Sequence, residues 1–126
     1  MTGANVPVGN AERQVLTALW ELEHATVREI RELLEKGGLK WAHTTISTLL
    51  TRLEEKQLIC RDASGFAHVF SPAVSREAMV QQRLRSLADD CCNGASAPLV
   101  LALVEGERFT KGELEQFRRL IDQLEQ

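Results

Sequence analysis

Apolar residues recur at helical spacing from Ala11 onward. Val15, Leu16, Leu19, Trp20 and Leu22 predict a first amphipathic helix over about Ala11–Leu22, with Asn10 as its N-cap. Thr26 and Glu29 have capping-box spacing, because each side chain can satisfy the other's free backbone N–H. The helix behind them, Val27–Lys36, buries Val27, Ile30, Leu33 and Leu34 and ends at Gly37-Gly38. Ile46, Leu49, Leu50 and Leu53 predict a third helix over Thr44–Lys56. After it the period shortens. Leu58–Arg61 and Phe66–Phe70 read as strands about the turn Asp62-Ala63-Ser64-Gly65, with Pro72 stopping the second.

Three helices and a hairpin in about 65 residues is the element order of a winged helix-turn-helix. Three further helices are predicted. The first starts at a Ser75 cap, runs to about Asp90 and is interrupted by Cys91-Cys92-Asn93-Gly94. A short apolar helix follows from Ser96 and Pro98 to Gly106. The last opens on a second capping box, Thr110 with Glu113, and carries Leu114, Phe117, Ile121 and Leu124 at 3-4-3 spacing. The fold class is thus mainly α with a small β-hairpin wing. Residues 1–10 are expected to be a loose arm, 11–73 the winged helix and 74–126 a helical dimerisation region. A tail of this size, in three short helices, has too little apolar surface for a core of its own, which favours its apolar stripes meeting a second copy.

Function is carried by the third helix. Thr44, Thr45, Thr48, Thr51 and Arg52 share one face away from the apolar stripe. Threonine is a mediocre helix former, so four on one exposed stripe want a reason. A major groove supplies one: short side chains allow close approach, hydroxyls bond phosphates or base edges, and methyls pack on thymine methyls. His43 and Lys40 stand at the helix margin, where backbone phosphates pass. The plain alternative is a solvated face, which Lys, Glu and Gln would serve better.

Charge complicates this. The 126 residues hold fifteen Lys and Arg against eighteen Asp and Glu, a net −3, which over the whole chain argues against nucleic acid. Between Leu39 and Arg61, however, Lys40, Arg52, Lys56 and Arg61 face only Glu54 and Glu55, leaving +2 there and −5 elsewhere. So few cations imply a dimer that doubles the phosphate contacts.

Trp41-Ala42-His43-Thr44-Thr45-Ile46, Thr48-Leu49-Leu50-Thr51-Arg52-Leu53, Lys56, Leu58 and Phe70-Ser71-Pro72 resemble the penicillinase (β-lactamase) and methicillin-resistance repressors, a winged-helix family that also takes in copper-responsive repressors. Glu12, Val15, Leu19-Trp20 and Thr26-Val27-Arg28-Glu29-Ile30 resemble its earlier helices. The resemblance implies a cytoplasmic, homodimeric repressor of antibiotic-resistance genes. It would bind a TACA/TGTA-like palindrome in double-stranded DNA through Lys40, His43, Thr44, Thr45, Thr48, Thr51 and Arg52. Leu99, Leu103, Leu114, Phe117, Ile121 and Leu124 would hold the dimer. Release would follow cleavage in the dimerisation region, triggered by a membrane sensor metalloprotease. Two departures stand out. Phe66, not a basic residue, follows the wing-tip Gly65, and Ala102-Leu103 replaces the family's Asn-Phe bond.

Other chemistries find little. His24, His43 and His68 lie on separate elements, with His24 in a surface turn, and no phosphate loop, nucleophile elbow or carboxylate set is present. Neither an enzyme nor a cofactor is expected. The longest apolar run, Pro98–Val104, is far shorter than the roughly 20 residues of a membrane span, so no insertion is expected. Cys91 and Cys92 are weak candidates for a metal or redox sensor, against a plain reading as small buried residues at a helix end. Cys60 reads as a core filler, and Trp20 and Trp41 as packing anchors. A winged-helix interaction module without DNA is the remaining alternative, favoured by Phe66 and the acidic total.

Overall fold

The computed structural model describes residues Val8–Gln126, and most of the predicted arm lies outside them. The elements are α1 (Asn10–Leu22), α2 (Val27–Lys36), α3 (His43–Glu55), β1 (Ile59–Asp62), β2 (Val69–Pro72), α4 (Arg76–Cys91), α5 (Ala97–Gly106) and α6 (Lys111–Leu124). The residues divide into two compact units, one ending at Ser86 and the other Leu87–Gln126. The fold is a winged helix followed by further helices.

In the first unit, α1, α2 and α3 pack against one another around Val15, Leu16, Leu19, Ile30, Ile46, Leu50 and Leu53, all fully buried. The Thr26–Glu29 capping box forms in full, and α2 ends at Gly37, with Gly38 at φ +95° carrying the chain away. Gly9, not Asn10, is the N-cap of α1; Asn10 lies inside the helix, where its side chain accepts from Arg13. At the end of α3, Gln57 adopts φ +64°, and Leu58 N–H returns to Leu53 C=O at 3.0 Å. That left-handed turn more commonly employs glycine, and a side chain in it carries a small conformational cost.

β1 and β2 pair antiparallel in the register Ile59↔Pro72, Cys60↔Ser71, Arg61↔Phe70 and Asp62↔Val69. The second strand therefore starts three residues later than the alternation predicted, and Pro72 is its last member rather than its stop. Phe66 belongs to the wing loop, residues 63–68, and is fully exposed. The cause is the turn. Asp62 Oδ1 accepts from both the amide and the hydroxyl of Ser64, at 2.9 and 2.6 Å, so the chain curls at Asp62 and pairing resumes only at Val69. Those hydrogen bonds hold the Asp62 carboxyl below its ordinary range. Phe70 exchanges two backbone hydrogen bonds with Ala25, at 2.9 and 2.7 Å, tying the α1–α2 connection to the wing. Cys60 is exposed, not a core filler, because alternation along β1 puts Ile59 inward instead. Trp20 is an anchor as expected: its indole N–H donates to Val74 C=O at 2.9 Å.

Glu12 is the one buried charged residue among those described, and Lys56 Nζ reaches its carboxylate at 2.6 Å across the α1–α3 contact. Replacing Lys56 by Met strands that carboxylate at the edge of the core. We expect a loss of about 1–3 kcal/mol in urea unfolding, with Glu12→Gln recovering part of it in the double variant.

The division between units falls within α4. Ser75 caps this helix as predicted, its hydroxyl accepting from Ala78 N–H at 3.0 Å. In the second unit the Thr110–Glu113 capping box opens α6, and the Phe109 and Phe117 rings meet edge to face at 5.1 Å. No residue of α5 or α6 is buried.

Candidate nucleic-acid interface

The interface is built on α3, whose apolar stripe fixes its orientation. With Ile46, Leu49, Leu50 and Leu53 in the core, Thr44, Thr45, Thr48 and Arg52 lie on the opposite side, all exposed. Lys40, in the stretch before the helix, and His43, its first residue, are exposed as well. Ala42 stands at the N-cap and offers no side-chain hydrogen bond, so the N–H groups of the first turn stay available to an anion.

Two threonines of this exposed face bond back to their own helix, which spacing could not foretell. Thr48 Oγ1 donates to Thr44 C=O at 2.9 Å, and Thr51 Oγ1 to Ser47 C=O at 3.0 Å. Each hydroxyl proton is committed to the helix backbone, which leaves the methyl group and the oxygen lone pairs for any partner. Thr51 is exposed like the rest of the predicted face and, at the edge of it, also lines the wing side of α3 with His43 and Ser47.

Between that side of α3, the start of α2 and the wing opens a cleft of about 520 Å³, lined among others by Arg28, His43, Thr51, Arg61 and His68. Arg61 organises its wing side. One guanidinium nitrogen meets Glu54 at 3.0 Å, another meets His68 Nδ1 at 3.1 Å, and the plane covers the Phe70 ring at 4.8 Å. Arg61 and Lys56 thus serve the architecture, and the +2 of the segment 39–61 is presented to solvent by Lys40 and Arg52 in the main. Neither Arg28 nor Arg61 stood out as a site residue in the sequence, and only topology brings them to one cleft with the two histidines.

A family model described as "Penicillinase repressor" matches residues 8–123. The chain belongs to the penicillinase repressor family. This is a family of transcriptional repressors, in keeping with the expectation that the chain is not an enzyme. Similar members include the transcriptional regulator BlaI of Mycobacterium tuberculosis (strain CDC 1551 / Oshkosh), 31% identical over 94% of this chain and 85% of its own length. The methicillin resistance regulatory protein MecI of Mammaliicoccus sciuri is 25% identical over 97% and 98%. The solution structure of the DNA-binding domain of the repressor BlaI superposes with a TM-score of 0.50 at 25% identity, covering 56% of this chain and 85% of that one.

The residues named for self-association divide in two. Leu99, Leu114 and Phe117 are half-buried by their own chain, whereas Leu103, Ile121 and Leu124 are open, as are Val100, Leu101 and Val104 beside them. Val80, Leu84 and Leu87 of α4 are also exposed, and their 4-3 spacing was a signal that went unread. Cys91 is exposed and Cys92 half-exposed, so the pair is not buried at the helix end as the plain reading had it. Among the described residues no group of three His, Cys, Asp or Glu could hold a metal ion, and no helix is long and apolar enough to cross a membrane.

Proposed function

We propose that the chain is a cytoplasmic homodimeric repressor whose winged helices, residues 11–73, each take one half of a TACA/TGTA-like palindromic operator. The dimer would be held by residues 74–126. The observation that carries this reading is the exposed stripe Thr44, Thr45, Thr48 and Arg52 on the helix after the turn, in a chain of a repressor family. With Thr48 bonded back to its own helix, its methyl is the outward chemistry, and a thymine methyl in the major groove is its complement. Lys40 and His43 would flank the groove at the phosphates.

Fluorescence anisotropy with a TACA/TGTA palindrome against a scrambled duplex tests the proposal. Thr45→Ala should lower affinity for the palindrome by about 1–2 kcal/mol and leave the scrambled duplex unaffected. Lys40→Ala should weaken both equally and reduce the salt dependence by about one phosphate per subunit. Equal affinity for both duplexes at physiological salt overturns the specific-repressor reading.

The fully exposed Phe66 at the wing supports a second reading, a protein-interaction module. Dimerisation without affinity for any duplex would favour it. Release by a metalloprotease would act on α5, where Ala102 and Leu103 are exposed. Lacking the Asn-Phe bond, the chain should resist a protease that requires it, and mass spectrometry of the digest reads this directly.

A further inference from the structure

The proposed recognition surface draws on the wing side of α3 only through His43. That side faces a cleft into which the fold gathers two of the three histidines of the chain, one from the first turn of α3 and one from the wing loop, with Arg28 and Arg61 around them. Duplex DNA runs a phosphate backbone along each edge of the groove a recognition helix occupies, so with α3 in the groove one backbone would run past its wing side. The residue after Gly65 is Phe66, so a cation at the wing must come from elsewhere. His68 lies two residues on and lines the cleft.

We propose that this cleft seats a DNA backbone phosphate, gripped by the imidazoles of His43 and His68 in their protonated forms. The inference rests on the DNA-binding reading above and adds a coupling to pH. In the structure His68 Nδ1 accepts from the Arg61 guanidinium at 3.1 Å, so the neutral ring keeps its proton on Nε2. A proton on Nδ1 breaks that bond and sets two cations side by side, a cost an anion in the cleft offsets. Phosphate binding and proton uptake therefore favour each other, and linkage makes affinity rise as pH falls through the range where imidazoles charge. The other charged groups around the cleft are Arg28, paired with Glu32 at 3.1 Å on α2, and Arg61, paired with Glu54 of α3. Both arginines keep their charge throughout this range and add to the field at the site without following pH.

The test is anisotropy of the full-length chain on the TACA/TGTA palindrome from pH 8 to pH 6 at fixed ionic strength. Affinity should rise about tenfold over that span, the worth of one unit of pKa displacement on binding. His68→Gln, which keeps a neutral donor, should match the parent near pH 8 and lose part of the rise at pH 6. His43→Gln, at a residue already placed beside the phosphates, is read by its slope with pH, which should also fall, and the double variant should be flat. His24→Gln, on the α1–α2 turn, should keep the full slope. NMR of the histidine ring protons, with and without DNA, gives a second readout: His43 and His68 should titrate at higher pH in the complex, and His24 should not move. A pH slope that survives in the double variant overturns the proposal, as does a flat profile in the parent. Inorganic phosphate alone shifting both rings while DNA affinity ignores pH would make the cleft a free-anion site, also overturning it. A chain that binds no DNA at any pH overturns the repressor reading itself.

Discussion

Replacing Ile121 and Leu124 together by Glu is expected to give a monomer by sedimentation velocity and to weaken binding to a palindromic duplex by about 100-fold or more. Both side chains are exposed on α6, at 56% and 78% of their full surface, and they continue a stripe whose first members, Leu114 and Phe117, already pack within the chain. Exposed apolar side chains in a row have no reason to stay in water, and a second copy presents the same row. The expected size of the loss follows from linkage. Two winged helices joined through one interface bind the second half-site at an effective concentration that typically raises avidity by about 10²–10⁴. With few cations on each α3, the proposed dimer would depend on that gain. The circular dichroism of the winged helix should be unchanged, since neither residue belongs to its unit. A variant that remains dimeric, or a monomer that holds the palindrome as tightly as the parent, contradicts the assignment.

Phe70→Ala should have the largest effect on stability, about 3–5 kcal/mol by urea unfolding, against a total of about 5–15 kcal/mol for a domain. Phe70 is 2% exposed, and three things converge on it: the β1 partner Arg61, whose guanidinium covers its ring, the two backbone hydrogen bonds to Ala25, and the core beneath. Truncation leaves a cavity where α1, the wing and the α1–α2 connection meet, and it removes the platform on which Arg61 holds His68 and Glu54. DNA affinity should fall with the folded fraction, and Phe70→Leu should recover much of both. A loss under about 1 kcal/mol would mean the wing is not anchored through this ring.

The helices were legible because their signals are local. Two capping boxes and the 3.6-residue apolar period place α2 and α6 to the residue and α3 within one. The wing was harder. Phe66 and Val69 have strand character, but the Asp62–Ser64 hydrogen bonds decide where pairing starts, and a side-chain contact two residues long outweighs propensity over five. The exposed stripe on α3 could be read because its apolar face is unambiguous. The cleft could not, since Arg28, His43, Arg61 and His68 are far apart in the chain and meet only through packing. The fate of the cations was hidden for the same reason: charge counting treats Lys56 and Arg61 as available, and the fold commits both to carboxylates.

No residue of α5 or α6 is buried within its own chain, so in the proposed homodimer the order of those helices would depend on how much protein is present. Where that association is weak at the prevailing level, occupied operator would grow with the square of the chain's abundance. Halving synthesis would then remove about three quarters of the bound repressor, and a modest fall in expression would become a sharp release of the promoter.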